Sequence, residues 1–159
     1  MSKYTIEHKN AFTLAGLGFS FQSSFDDFQG IAKEKGEFYS SIENDGSLPT
    51  LRDSAKNNLL WSVNEVYQGK PWNYLAVEPA KTIEKVTRMV EFPDSEYVIV
   101  SGTADDSQTL FDSIAGKAFG QVLDQINDYA YVGGPNGTFS QVKEDGSYYG
   151  EIWIPVIAK

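Results

Sequence analysis

A chain of 159 residues, 41% hydrophobic and 14% aromatic, is long enough to bury a core and reads most simply as one domain over residues 1–159. The net charge of −9 argues against direct nucleic-acid binding, which draws on clustered Lys and Arg, and the lack of cysteine removes disulfides, thiolate catalysis and zinc–cysteine sites. His8 is the one histidine, and no apolar run resembles a membrane span or a signal-peptide core, so the expectation is no metal, no cofactor, no membrane association and a cytoplasmic location.

Tyr4 to His8 alternates, and Phe12 to Phe21 is apolar with Gly16 and Gly18 inside it. Both read as strands, the glycines marking a bulge or a close backbone approach. Gly16-Leu17-Gly18 lacks the third glycine and the helix of a dinucleotide fingerprint. Ser23 and Ser24 offer N-cap hydroxyls, Asp26 and Asp27 suit a first turn, and the spacing of Phe25, Phe28, Ala32, Tyr39 and Ile42 predicts a helix from about Phe25 to Glu43. Pro49 to Asn58 reads as a polar connection. Leu59 to Tyr67 and Pro71 to Pro79 form a hairpin around Gln68-Gly69-Lys70. Alternation puts Trp61, Val63 and Glu65 on one face of its first strand, and Trp72, Tyr74 and Ala76 on one face of its second.

Lys81 to Phe92 is mixed and charged, reading as a short helix or as a loop and strand crossing to the second half. Tyr97 to Ala104 is a β-branched strand, Asp105-Asp106-Ser107 caps the next segment, and an apolar stripe from Leu110 predicts a helix to about Asn127. Thr138 to Lys143 and Tyr148 to Ile157 make a second hairpin around Glu144-Asp145-Gly146-Ser147. The order strand, helix, hairpin therefore occurs twice, over about 12–79 and 97–157. The fold class expected is α+β: two pseudo-symmetric units forming an antiparallel sheet, with helices on one face and a ligand cleft between the halves.

The last strand, Gly150 to Val156, sets Ile152, Ile154 and Val156 on one face and Glu151 beside Trp153 on the other. An acid next to a large ring suits a flat cation, and the same pattern also suits an amphipathic edge strand. The element order, Asp145-Gly146-Ser147-Tyr148 and the closing Glu151-Ile152-Trp153-Ile154-Pro155-Val156 resemble the GyrI-like small-molecule-binding family, which includes effector-binding domains of bacterial multidrug-responsive regulators. The chain looks like its stand-alone form, such as the drug-binding proteins encoded on integron cassettes.

The resemblance implies binding of lipophilic, cationic, planar small molecules in an aromatic-acidic cleft. The expected ligand residues are Glu151, Trp153, Trp61, Trp72, Tyr74, Tyr149, Phe139 and Glu65. Many members carry a glutamate directly after a phenylalanine in the preceding strand; here Phe139 is followed by Ser140, leaving Glu151, and Glu65 from the first hairpin, to supply the acid. The family implies two further readings: a hydrolase of cyclopropane-containing compounds, with Glu151 as its catalytic residue, and a gyrase-inhibitor-like interaction protein. No catalytic residue is assigned on the binding reading, and a homodimer or a transcription-machinery partner is compatible with it.

Overall fold

The computed structural model describes residues 4–24, 26–131 and 133–159. In chain order the elements are β1 (Thr5–Lys9), β2 (Phe12–Ser20), α1 (Phe28–Asn44), α2 (Ser47–Asp53), β3 (Leu60–Tyr67), β4 (Lys70–Val77), β5 (Arg88–Phe92), β6 (Ser95–Ala104) and α3 (Ser107–Lys117). A π-helical turn (Ala118–Val122), α4 (Leu123–Gln125), β7 (Tyr129–Ala130), β8 (Asn136–Val142) and β9 (Tyr148–Ala158) complete the chain. The sheet is antiparallel and runs β1-β6-β9-β8-β3-β4-β2-β5, with β7 added beside β9. From either edge inward the order is short edge strand, first strand, second hairpin strand, first hairpin strand, and β3 meets β8 in the middle. This is the mixed α+β architecture expected.

Register assigns the two faces. The row Val100–Ile152–Thr138–Ser62–Leu75–Leu17 crosses six strands and carries the helices: α3 and the π-helical turn cover Val98, Val100, Ile152 and Ile154, while α1 and α2 cover Ala15, Leu17, Leu75 and Val77. The adjacent row, Ser101–Glu151–Phe139–Trp61–Ala76–Gly16, points the other way. That second face curls on itself. Phe12 on β2 and Trp153 on β9 are four strand steps apart, about 19 Å in a flat sheet, yet their ring centroids lie 5.7 Å apart. The sheet is a half-barrel with its rings inside and its helices outside.

Several boundaries differ from expectation for identifiable reasons. The helix expected from Phe25 starts at Phe28, because the Asp27 carboxylate accepts from Gly30 N at 3.0 Å and so is the N-cap; Phe25 itself lies outside the described residues. Ser23 and Ser24 do not cap it, and Asp26 and Asp27 precede its first turn. The Pro49 connection contains α2, since a proline in a first helical turn forfeits no hydrogen bond and Leu48 and Leu51, one turn apart, are buried anchors. The Leu110 stripe runs as α3, the π-helical turn and α4, ending at Gln125. The end of the crossing segment, Arg88–Phe92, is an edge strand on β2. The tight turn of the first hairpin has positive φ at Gln68 and Gly69, 53° and 76°, the mirror-image turn whose twist matches its strands.

Gly16 and Gly18 leave room for the Tyr74 ring. A Cβ at Gly18 would stand 2.2 Å from Tyr74 Cδ1 and 2.5 Å from the Asn73 carbonyl, whereas one at Gly36 in α1 meets nothing within 4 Å. Gly18→Ala is therefore expected to lower unfolding free energy by about 1–3 kcal/mol through overpacking. Gly36→Ala should raise it by about 0.5–1 kcal/mol through backbone entropy. Denaturant titration of both variants reads the opposite signs.

Candidate functional site

Of the eight residues expected to bind ligand, Glu151, Trp153, Trp61, Phe139 and Tyr149 come together inside the half-barrel. Trp61 packs against Trp153 and Phe139 at 5.3 Å each, both edge-on, and Tyr149 lies 6.4 Å from Phe139. The space is full: Phe12 and Phe92 stack at 4.6 Å, and Trp61 is only 4% exposed. Glu151 is held by its own strand, Oε1 accepting from Trp153 Nε1 at 2.9 Å and Oε2 from Tyr149 OH at 2.7 Å. Burial, then the bond to Glu151, pushes the Tyr149 phenol up. Lys9 Nζ already sits 4.6 Å above the Trp153 ring, where a ligand cation would stand. Trp61 and Phe139 are core, and Phe12, Tyr149 and Trp153 pack half-buried against them.

Trp72, Tyr74 and Glu65 form a second group toward the hairpin end of the same face. Trp72 and Tyr74 stack nearly parallel at 5.9 Å. Buried Glu65 accepts from Tyr74 OH at 2.8 Å and from Arg88 Nε at 2.5 Å, and the Arg88 guanidinium lies 3.7 Å above the Tyr67 ring. The Glu65 side chain pushes Arg88 up, and burial followed by Glu65 pushes Tyr74 up. Glu65 is thus matched by a cation from β5, the strand that ends the crossing segment.

The open space lies at the two ends of β3, one cavity on the helix face and the other at the hairpin end, where side chains of both faces meet. One cavity of about 340 Å³ lies between α1, α2 and the start of α3, lined by Tyr39, Leu48, Leu60, Leu75 and Phe111. A second, of about 410 Å³, lies toward the other end of β3, walled by Phe21, Trp72, Phe119 and Tyr131 with Asn64 and Asn136 among its polar residues. Phe119 belongs to the π-helical turn and packs edge-on against Tyr131 at 5.8 Å. Between the two cavities the strands carry Ser62, Asn73, Asn136, Thr138 and Ser140, all buried and polar.

A directed hydrogen-bond chain joins the cavities. Tyr39 OH donates to Asn73 Oδ1; Asn73 Nδ2 donates to Asn64 Oδ1 at 2.9 Å; Asn64 Nδ2 to Asn136 Oδ1 at 3.5 Å; and Asn136 Nδ2 to Tyr131 OH at 3.4 Å. Backbone carbonyls fix the direction. Asn73 Nδ2 also donates to Val63 O at 3.2 Å and Tyr131 OH to Gly134 O at 3.0 Å, and a carbonyl can only accept. Burial pushes the Tyr39 phenol well above its ordinary value, keeping it a donor.

Ser140 lies on this helix face, with its hydroxyl 3.5 Å from Leu60 O, while Glu151 points to the other face. Glu151 therefore does not stand in for an acid at position 140. The sequence reading also passed over Asn64, Asn73, Asn136, Tyr39, Phe119 and Tyr131. Asparagines within strands are disfavoured and are the signal that was present, but alternation alone reads them as solvent-facing. Among the described residues no group of three or more His, Cys, Asp or Glu gathers to hold a metal, and no helix is long and apolar enough to cross a membrane.

The architecture is a half-barrel with α1, α2 and α3 packed on its outer face. The chain belongs to the Cass2 family, the integron-associated effector binding proteins, whose model matches residues 5–156. Among solved structures it is similar to SAV2435 bound to tetraphenylphosphonium, at TM-score 0.75 and 16% identity over 98% of this chain and 94% of that one. It is also similar to an integron cassette protein from the mobile metagenome of Vibrio cholerae, at TM-score 0.67 and 12% identity over 97% and 95%. The EcmrR C-terminal domain matches at TM-score 0.57 and 12% identity over 99% and 98%. At these identities the likenesses concern the fold, in agreement with the GyrI-like resemblance. No curated protein matches by sequence.

The polar groups generate two expected outcomes. Arg88→Met strands the buried Glu65 carboxylate and is expected to cost about 3–5 kcal/mol of stability in chemical denaturation. Tyr39, Tyr74, Tyr97 and Tyr149 are all raised above the ordinary value of 10.0, chiefly by burial. Their contribution is intact below that value. As pH rises past it, the unfolded chain ionises first and stability falls, which absorbance at alkaline pH followed together with near-UV circular dichroism should show as coincident ionisation and unfolding.

Proposed function

We propose that the protein is an effector-binding protein for planar, lipophilic small molecules, which it takes up at the hairpin end of β3. The observation that carries this reading is the 410 Å³ cavity walled by Phe21, Trp72, Phe119 and Tyr131, an aromatic lining beside open space. Ring walls accept varied flat ligands because stacking rewards area more than direction. The family's effector binding, and the lipophilic cation held by a relative of the same fold, support small-molecule binding here. Of the acids expected to recognise a cation, Glu65 lines this cavity and pairs with Arg88, and Glu151 is bonded to Tyr149 and Trp153 inside the curl.

Titrating the protein with a planar lipophilic dye and following tryptophan fluorescence should give saturable quenching. Phe119→Ala removes one aromatic wall and should weaken binding about 3- to 10-fold, the worth of one ring contact. Glu151→Gln, inside the half-barrel, should leave the affinity unchanged. Loss of binding in Glu151→Gln with none in Phe119→Ala would move the site to the ring-filled face.

A further inference from the structure

We infer that the planar ligand carries an acidic group, such as a carboxylate, which the Lys35 ammonium takes from the α1 side of the groove between α1 and α3. This rests on the binding reading above and adds the charge of the ligand. Lys35 belongs to the inward stripe of α1. Ile31, Lys35, Phe38, Tyr39 and Ile42 recur at helical spacing and are half-buried or buried, whereas Lys33, Gly36, Glu37 and Ser40 are exposed. Tyr39, one turn further on, reaches the floor at Asn73. The chain enters α1 from the end of β2, which pairs with β4 at Ser20–Trp72, so the first turns of α1 lie at the hairpin end. Long side chains on a helix lean toward its N-terminus, and the Lys35 stem therefore runs from the level of Tyr39 toward the aromatic cavity. Across the groove α3 presents Asp112, whose charge acts on both Lys35 and Tyr39, and the chain continues to Phe119 in the wall of that cavity.

Lys35 makes no ion pair among the described residues, and the acids around it are engaged elsewhere. The Glu34 carboxylate accepts from Gln22 N at 2.7 Å and Ser23 N at 3.1 Å, and Glu37 meets Lys33 on the exposed side of the helix. Exposed Asp112 accepts from Gln108 Nε2 at 3.2 Å, Glu43 pairs with Arg52, and Glu65 in the cavity wall pairs with Arg88. The floor of the groove, with Ser62, Asn73, Thr138 and Ser140, is polar and uncharged. Burial pushes the Lys35 ammonium below its ordinary value and outweighs the opposing charge of Asp112. An ammonium drawn out of water without a close counter-charge is a standing cost, which an anion on the ligand relieves.

The test compares 2-naphthoate, methyl 2-naphthoate and 2-naphthylmethylammonium by calorimetry on the full chain; the three share a flat skeleton and carry negative, no and positive charge. The acid is expected to bind about tenfold tighter than its ester, the effect of one charge-assisted hydrogen bond in a desolvated place, and tighter than the ammonium. Lys35→Met, which keeps the length of the stem and removes the charge, should bring the acid-to-ester ratio to about one while the ester still binds. Lys33→Met removes the same charge from the exposed side of α1 and should leave the ratio unchanged. Equal binding of acid and ester, an ammonium bound tighter than the acid, a ratio unmoved in Lys35→Met, or an equal loss in Lys33→Met would each overturn the inference while leaving small-molecule binding in place. Failure of all three probes to bind would instead remove the binding reading beneath it.

Discussion

The packing of rings inside the curl sets what every other part of the molecule can do. Phe12, Trp61, Phe92, Tyr97, Phe139 and Trp153 converge from different strands, with neighbouring centroids 4.6–6.4 Å apart. Each ring buries a large apolar area, and offset or edge-on contacts add a further increment, so closing the sheet around them is strongly favoured. The rings fill the middle of that face. Open space is left beside the helices and at the hairpin end of β3.

The polar residues under the helices are a consequence of this division. A purely apolar floor on β3 and β8 would let the two helical layers close over the middle of the sheet. Ser62, Asn64, Asn136, Thr138 and Ser140 instead interrupt the apolar packing between the cluster under α1 and α2 and the cluster under α3. Their burial is tolerable because Asn73 and its neighbours satisfy one another in a chain anchored on backbone carbonyls at Val63 and Gly134.

Charge is handled by pairing rather than by leaving acids open. Glu65 sits at the hairpin end beside Trp72, a position that suits cation recognition when the hairpin is viewed alone. The short edge strand β5 brings Arg88 onto it and fills that role internally. Lys9, from the opposite edge strand β1, does the same for the Trp153 ring. The two short edge strands thus occupy the two acid-aromatic positions with the protein's own cations.

What the sequence determined by itself was local. The hairpin turn at Gln68-Gly69, the β-branched run before Ala104, the cap at Asp106 and the alternation of the last strand are set by neighbours within a few residues, and they fix the α+β order of elements. Alternation also sorted Trp61, Glu65, Trp72, Tyr74, Glu151 and Trp153 onto their shared face. Only the tertiary structure decided whether that face was open. Curl is a property of the whole sheet, and β2 reaches β9 through strands distant in the chain. The same holds for Arg88 on Glu65, for the amide chain from Tyr39 to Tyr131, and for the place of Ser140 opposite Glu151. The reason is physical: periodicity fixes a side chain's direction, whereas its partner is fixed by contacts that no local pattern encodes.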